Sequence, residues 1–184
     1  MRTPLRRLYF PAVICGVFSF SWASARLASH SDAAISFTLV GPAGMKIVGT
    51  GNELQVSDDG QAVTVSIPLT SLTTGFAFSD EPMHEKYLET PIFPHTELRV
   101  PRTMLKMPGP GATVEENTTG VLVLHGQSKS VPLHYTSTRL GSKLRVEASM
   151  RLDMKDFGIE SPAYFGIALE PRVEVAARFE VLDE

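Results

Sequence analysis

From Lys143 to Asp153 every second residue is apolar. Leu144, Val146, Ala148, Met150 and Leu152 stand on one parity, and Lys143, Arg145, Glu147, Ser149, Arg151 and Asp153 on the other. Near the C-terminus the pattern returns: Val173, Val175, Ala177, Phe179 and Val181 alternate with Arg172, Glu174, Arg178 and Glu180. Ile35, Phe37 and Leu39 do the same from Ala34 onward, as do Val63, Val65, Ile67 and Leu69. A period of two places one set of side chains on each face of a strand, so these are strands with one apolar and one wet face. That pattern belongs to antiparallel sheets, because parallel sheets bury both faces.

The breaks fall at turn residues: Gly41-Pro42-Ala43-Gly44, Asp58-Asp59-Gly60, Pro108-Gly109-Pro110-Gly111, Gly126-Gln127-Ser128 and Leu140-Gly141. One strand changes parity within itself. Met45, Ile47, Gly49 and Gly51 share one face, whereas Leu54 and Val56 share the other. A shift of one residue beside glycines predicts a bulge, which lets a sheet curl. Pro101 puts the run from Thr96 to Met107 at an edge or a bend. About eight one-sided strands with a kink fit an up-and-down barrel better than a sandwich, although a sandwich would show the same alternation.

One long segment, Ser71 to Leu98, does not read as a strand. Ser79-Asp80-Glu81-Pro82 has the chemistry of a helix start, with Ser79 or Asp80 able to cap and Pro82 tolerated in the first turn. Met83, Tyr87 and Leu88 then fall on one helix face, with His84, Glu85, Lys86 and Glu89 mostly on the other. Pro91 and Pro94 end it. The spacing predicts a short helix in the 79–90 region that lays a Met/Tyr/Leu face over one end of the β body.

The same segment resembles the YceI-like family of periplasmic polyisoprenoid-binding proteins. The shared pieces are Ser71-Leu72-Thr73-Thr74-Gly75, Asp80-Glu81, Lys86-Tyr87-Leu88-Glu89 and Phe93-Pro94-His95-Thr96. Two later pieces agree in order and spacing. Gly120-Val121-Leu122-Val123-Leu124-His125-Gly126 runs into Lys129-Ser130-Val131-Pro132-Leu133, and Asp156-Phe157-Gly158-Ile159 follows near the C-terminus. The resemblance spans nearly all the chain after residue 30. It implies a lipocalin-like barrel over 34–184, no cofactor beyond a bound isoprenoid lipid, and a binding role rather than catalysis. The chain departs from the family pattern at Ser79 and Pro82, where the family often carries Arg and His, and its early strand at Phe37-Thr38-Leu39-Val40 lacks the family's His.

The N-terminus reads as an export signal over 1–25. Arg2, Arg6 and Arg7 precede the apolar run Ala12 to Trp22, which is short for a membrane span, and Ala23-Ser24-Ala25 is a small-x-small cleavage site. Residues 26–33 then read as a short linker, leaving one domain's worth of chain. Removing the three arginines turns the net charge of −3 into −6. A chain so acidic, with no basic cluster, argues against a nucleic-acid partner. The single cysteine, Cys15, leaves with the leader, so the exported domain has neither a disulfide nor a thiol mechanism and depends on its apolar core. The expected compartment is periplasmic or extracellular.

Polar constellations are sparse. His84, Glu85 and His95 lack metal-ligand spacing, since Leu88 stands where a second zinc-binding His would be. Ser79, Asp80 and His84 could be assembled into a nucleophile and base, but Ser and Asp at a helix start are ordinarily caps. Arg99 and Arg102 share a parity and are the candidates to meet an anionic head group, against the plainer reading of a solvated face. The apolar side is richer: Phe37, Phe76, Phe78, Met83, Tyr87, Leu88, Tyr135, Met150, Phe157, Tyr164 and Phe165 could line an interior or simply fill it. The resemblance favours lining, around a polyisoprenoid, an isoprenoid quinone or a similar lipid. Two other functions stay open on the residues alone: a periplasmic enzyme using Asp80 and His84, and a packed accessory domain. A transient contact with a membrane or membrane protein, and a homodimer, are open as well.

The leader makes a direct prediction. N-terminal sequencing of the exported protein is expected to begin at Arg26. A mature chain that still begins at Met1 overturns it.

Overall fold

The computed structural model describes residues 27–164 and 167–183. In chain order the strands are β1 (Leu27–Val40), β2 (Lys46–Gly51), β3 (Gln55–Asp58), β4 (Ala62–Pro68), β5 (His95–Pro101), β6 (Thr113–Leu124), β7 (Gln127–Leu140), β8 (Lys143–Asp153), β9 (Ala163–Tyr164), β10 (Ile167–Ala168) and β11 (Arg172–Asp183). A helix, α1 (Ala77–Pro82), and a π-helical turn over Met83–Tyr87 lie between β4 and β5. Nine strands form one sheet in the order β2-β1-β11-β8-β7-β6-β5-β4-β3, and β9 and β10 pair separately. Every pairing is antiparallel.

The two edge strands of this sheet are consecutive in the chain. Laid flat, the outermost of nine strands would stand about 38 Å apart, at roughly 4.8 Å per neighbour. Only Asn52, Glu53 and Leu54 separate β2 from β3, a link that reaches at most about 14 Å. The sheet therefore has to curl until its edges meet. β2 and β3 are two halves of one kinked strand, which makes eight staves of an up-and-down barrel. The kink falls where the parity shift in the sequence predicts a bulge.

Register carries the alternation inward. Val173, Val175, Ala177, Phe179 and Val181 of β11 stand opposite Leu152, Met150, Ala148, Val146 and Leu144 of β8. Leu133 and Tyr135 of β7 face Met150 and Ala148. The inward side chains fall into two buried clusters. One, with Leu39, Leu69, Tyr87, Leu124, Phe157 and Val173, lies beneath the helical segment. The other, with Leu27, Val56, Val63, Leu144, Phe179 and Val181, closes the far end. Between them Val65, Val146, Ala148, Met150, Val175 and Ala177 are only half-buried although they point inward. The barrel is filled at both ends and hollow in the middle.

Small residues keep it hollow. Ala148 is paired with Ala177. Gly49 is paired with Phe37, and a Cβ on Gly49 would sit 2.0 Å from the Phe37 ring. The ring lies flat against the bare backbone of β2 instead of projecting across the lumen, as an aromatic over a glycine does in curled sheets.

Two expectations are corrected, and the run from Thr96 to Met107, read as an edge or a bend, is a bend. β1 begins at Leu27, so the stretch read as a linker, 26–33, is strand from there on, paired with β11 across a register shift between His30 and Ala34. β5 is an interior strand, held by β4 throughout but by β6 only at Glu97, Leu98 and Arg99; after Pro101 the chain leaves the sheet in a 3₁₀ turn over Arg102–Met104. Ser79 and Asp80 do not cap the helix: Phe76 is the residue before it, with no side-chain cap bond. The leader lies outside the described residues.

The Phe37–Gly49 packing predicts a coupled pair of substitutions. Gly49→Val is expected to force the ring off the wall and cost about 1–3 kcal/mol, seen as a lower urea midpoint at unchanged slope. Phe37→Leu in the same chain should recover part of that loss. A double variant no more stable than Gly49→Val alone would show that the ring is not the obstruction.

Candidate ligand-binding lumen

The helical segment closes one end of the barrel. Pro82 offers no N–H to the carbonyl four residues back, and the turn after it widens to π spacing, with the Leu88 amide donating to the Met83 carbonyl at 2.9 Å. That spacing brings Met83, Tyr87 and Leu88 to one side, where all three face the lumen. The Tyr87 hydroxyl also accepts from the Ala163 amide at 3.0 Å, which ties the helix to the segment between β8 and β11.

A latch holds the start of the helix. The Asp80 carboxylate accepts from the Thr73 hydroxyl (2.6 Å), the Thr74 amide (2.6 Å) and the Thr74 hydroxyl (2.7 Å). Thr73 is itself bridged to Thr50 of β2. Burial raises the Asp80 carboxyl, but the hydrogen bonds from Thr73 and Thr74, with the nearby His84, outweigh it and hold it below the ordinary aspartate range. His84 Nε2 donates to the Leu72 carbonyl at 3.0 Å, and its buried Nδ1 has no partner. Both polar groups thus face the chain before the helix rather than each other.

His125 fastens the far end of the same segment. With Gly126 it forms the two-residue turn between β6 and β7, both at positive φ (50° and 71°). Its Nε2 stands 2.6 Å from Glu89 Oε2, its Nδ1 3.2 Å from the Phe157 carbonyl, and its ring 4.6 Å from that of Phe93. The pieces that resemble the family in sequence — Phe93-Pro94, His125-Gly126 and Asp156-Phe157-Gly158 — therefore meet around one imidazole.

The lumen has a volume of about 250 Å³, many times what a single water requires. Its wall is almost wholly apolar. Phe37, Tyr135 and Met150 line it from the sheet, and Met83, Tyr87 and Leu88 from the helical segment. Phe157 does not: it is 1% exposed and belongs to the core beneath the helix. Phe76 and Phe78 lie outside, 60% and 56% exposed, with their rings 5.6 Å apart. They precede the helix's inward face, so the run of aromatics in sequence misleads there. Tyr164 sits in β9, and Phe165 is outside the described residues.

Arg99 and Arg102 are both engaged by carboxylates. They stand at the end of the barrel away from the helix, beside the β3–β4 turn. Arg99 pairs with Asp59 at 2.8 Å, and Arg102 with the fully buried carboxylate of Asp58. Among the described residues no three potential metal ligands come together.

The sequence reading missed the other closure. Leu105, Lys106 and Met107, in the loop between β5 and β6, also face the lumen. The Tyr135 hydroxyl anchors that loop, accepting from the Lys106 amide at 2.7 Å. An apolar pair at spacing two, bounded by Pro101 and Pro108, was the available signal, and it looks the same as an edge strand.

With this geometry in place, the comparisons are consistent. The profile of the YceI-like domain matches residues 26–181. A polyisoprenoid binding domain from Saccharophagus degradans superposes with a TM-score of 0.74 at 13% identity, covering 87% of this chain and 99% of that one. Burkholderia cenocepacia BcnA gives 0.63 at 14% identity over 80% of this chain and 95% of that one. A mutant YceI protein of Campylobacter jejuni with a monobromobimane guest gives 0.56 at 14% identity, over 75% and 85%. No curated protein matches the chain significantly.

The latch is testable by pH. A carboxyl held below its ordinary value contributes stability above that value, about 4, and loses it as pH falls through the lowered one. Asp80→Asn is expected to cost roughly 0.5–1 kcal/mol at pH 7, since water competes for a part-exposed carboxylate. The gap in melting temperature between variant and wild type should close toward pH 2. A gap that is the same at both pH values would show that the charge on Asp80 does not hold the latch.

Proposed function

Because the chain belongs to the YceI-like domain family, we propose that it is an exported, non-catalytic binding protein that carries or stores an isoprenoid lipid or isoprenoid quinone inside its barrel. The observation that carries this reading is the lumen: an apolar hollow between two packed ends, with a helix over one of them. The polyisoprenoid binding domain that shares the fold supports the choice of ligand class. In this reading Phe37, Met83, Tyr87, Leu88, Tyr135 and Met150 contact the chain of the lipid.

Hydrocarbon burial is the source of affinity. Each buried CH₂ contributes roughly 0.8 kcal/mol, so one further isoprene unit adds several kcal/mol before ordering costs are subtracted. The enzyme alternative finds less support. Asp80 is committed to Thr73 and Thr74 and His84 to Leu72, so no base is aimed at a nucleophile. Export rests on the leader in the sequence; no helix among the described residues is long and apolar enough to cross a membrane.

An organic extract of the purified protein, read by mass spectrometry, is expected to contain a prenyl lipid. In a titration series of prenols, affinity should rise with each unit until the lumen is full and then level off, with little dependence on salt. Ala148→Phe should lower the longest chain accepted, because Ala148 faces the lumen between Tyr135 and Ala177. Affinity independent of chain length, or lost on modest added salt, would overturn the reading.

A further inference from the structure

The lumen wall carries few polar side chains, and all but one are already engaged. The Thr74 hydroxyl donates to Asp80 (2.7 Å), the Thr96 hydroxyl to the Val123 carbonyl (2.9 Å), and the Lys106 ammonium to Glu116 (2.9 Å). The Tyr87 hydroxyl accepts from Ala163 (3.0 Å), and that of Tyr135 accepts from the Lys106 amide (2.7 Å) and donates to its carbonyl (3.3 Å). The exception is Ser137. It follows Leu133 and Tyr135 on the inward row of β7, faces the lumen, and is 4% exposed. Among the described residues nothing hydrogen-bonds its hydroxyl.

A hydroxyl that faces an apolar lumen without a partner is costly, and an alanine or valine there would complete the apolar wall. We propose that Ser137 is the head-group site of the lumen, and that it receives the oxygen of an uncharged lipid end, a hydroxyl or a carbonyl. This rests on the lipid-binding reading above and adds polarity and direction to it. Ser137 pairs with Val146, one inward position from the far-end core residue Leu144. The polar end of the lipid therefore lies deep, and its hydrocarbon runs back toward Met83 and Leu88 under the helix.

Charge is excluded by what surrounds the site. The cations nearest that end of the lumen are spoken for: Lys106 by Glu116, and Arg139 by Asp183 (2.5 Å) and the Pro108 carbonyl (2.8 Å). A phosphate at Ser137 would be buried without a counter-charge, which a single hydroxyl cannot offset. A serine hydroxyl, with one donor and two acceptor positions, matches a neutral alcohol or carbonyl.

The test compares geranylgeraniol, its deoxy hydrocarbon and geranylgeranyl monophosphate on wild type, Ser137→Ala and Ser137→Thr. Wild type is expected to bind the alcohol about three- to tenfold more tightly than the hydrocarbon, the worth of one net hydrogen bond, and the phosphate most weakly. Ser137→Ala should bind the hydrocarbon at least as tightly as the alcohol, with hydrocarbon affinity and melting temperature unchanged or higher, and Ser137→Thr should keep the preference. An alcohol preference that survives Ser137→Ala, or a phosphate that binds best, overturns the site while leaving the lumen as the binding place. If none of the three binds wild type, the lipid-binding reading falls and this inference with it.

Discussion

Three residues, Asn52, Glu53 and Leu54, tie one edge of a nine-stranded sheet to the other. Everything else in the molecule is subordinate to that short link. Because the edges must meet, the sheet cannot stay open, and every inward parity is committed to a common interior. A barrel of this many staves is just wide enough to be filled by large side chains or to hold one small ligand. Here the middle positions are filled by Ala148, Ala177 and a Phe37 that lies along the wall, so closure creates space rather than a packed core.

An empty apolar space is a cost to the folded state. Side chains around it lack partners on one side and forfeit dispersion contacts that a solid core would make. The two buried clusters at the ends, rather than the middle, must therefore hold the barrel together in the absence of cargo. A ligand in that space would restore the missing contacts, and one that binds only the folded chain links occupancy to stability by mass action. The helical segment stands at the place where this exchange has to happen. It is held by polar bonds at its two ends, Asp80 to the threonines and Glu89 to His125, and by apolar contact along its inner face. Such an arrangement can loosen at one end without dismantling the sheet.

Much of this was legible in the sequence, for a physical reason. Strand faces are set by a period of two, which survives any topology, so the inward sets of β8 and β11 could be read directly. The kink was legible because the parity of Ile47 and Gly49 cannot be reconciled with that of Val56 without an extra residue. Side-chain roles in the irregular segments were harder. Phe76 and Phe78 look like lining by composition but stand before the helix turns inward, and Phe157 fills the core instead. Arg99 and Arg102 look available because their acidic partners, Asp59 and Asp58, are some forty residues away in sequence and meet them only through the β4–β5 register. Leu105 and Met107 were hidden because a plug and an edge strand share one pattern. His125 was read as a turn residue, and it is one; that its ring also clasps Glu89 depends on tertiary geometry that no local pattern encodes.

The distribution of charge follows from the same closure. The outward parity carries the acids and bases, and they pair across neighbouring strands, as Arg145 does with Glu180 and Arg151 with Glu174. The partly buried pairs, Arg102 with Asp58 and Arg139 with Asp183, sit at the end of the barrel away from the helix. None of these groups projects a free charge into the lumen. In an interior without a net field, discrimination among lipids has two sources left. One is the length and bulk that the wall allows, and the other is whatever hydrogen bond the wall still offers. The first grades related chains by the hydrocarbon each one adds, roughly 0.8 kcal/mol per buried methylene. The second separates ligands by kind, because an oxygen that finds no partner in an apolar cavity is penalised outright. On the role proposed for Ser137, its hydroxyl would tell lipids apart by their ends, and the alkyl wall would measure their chains.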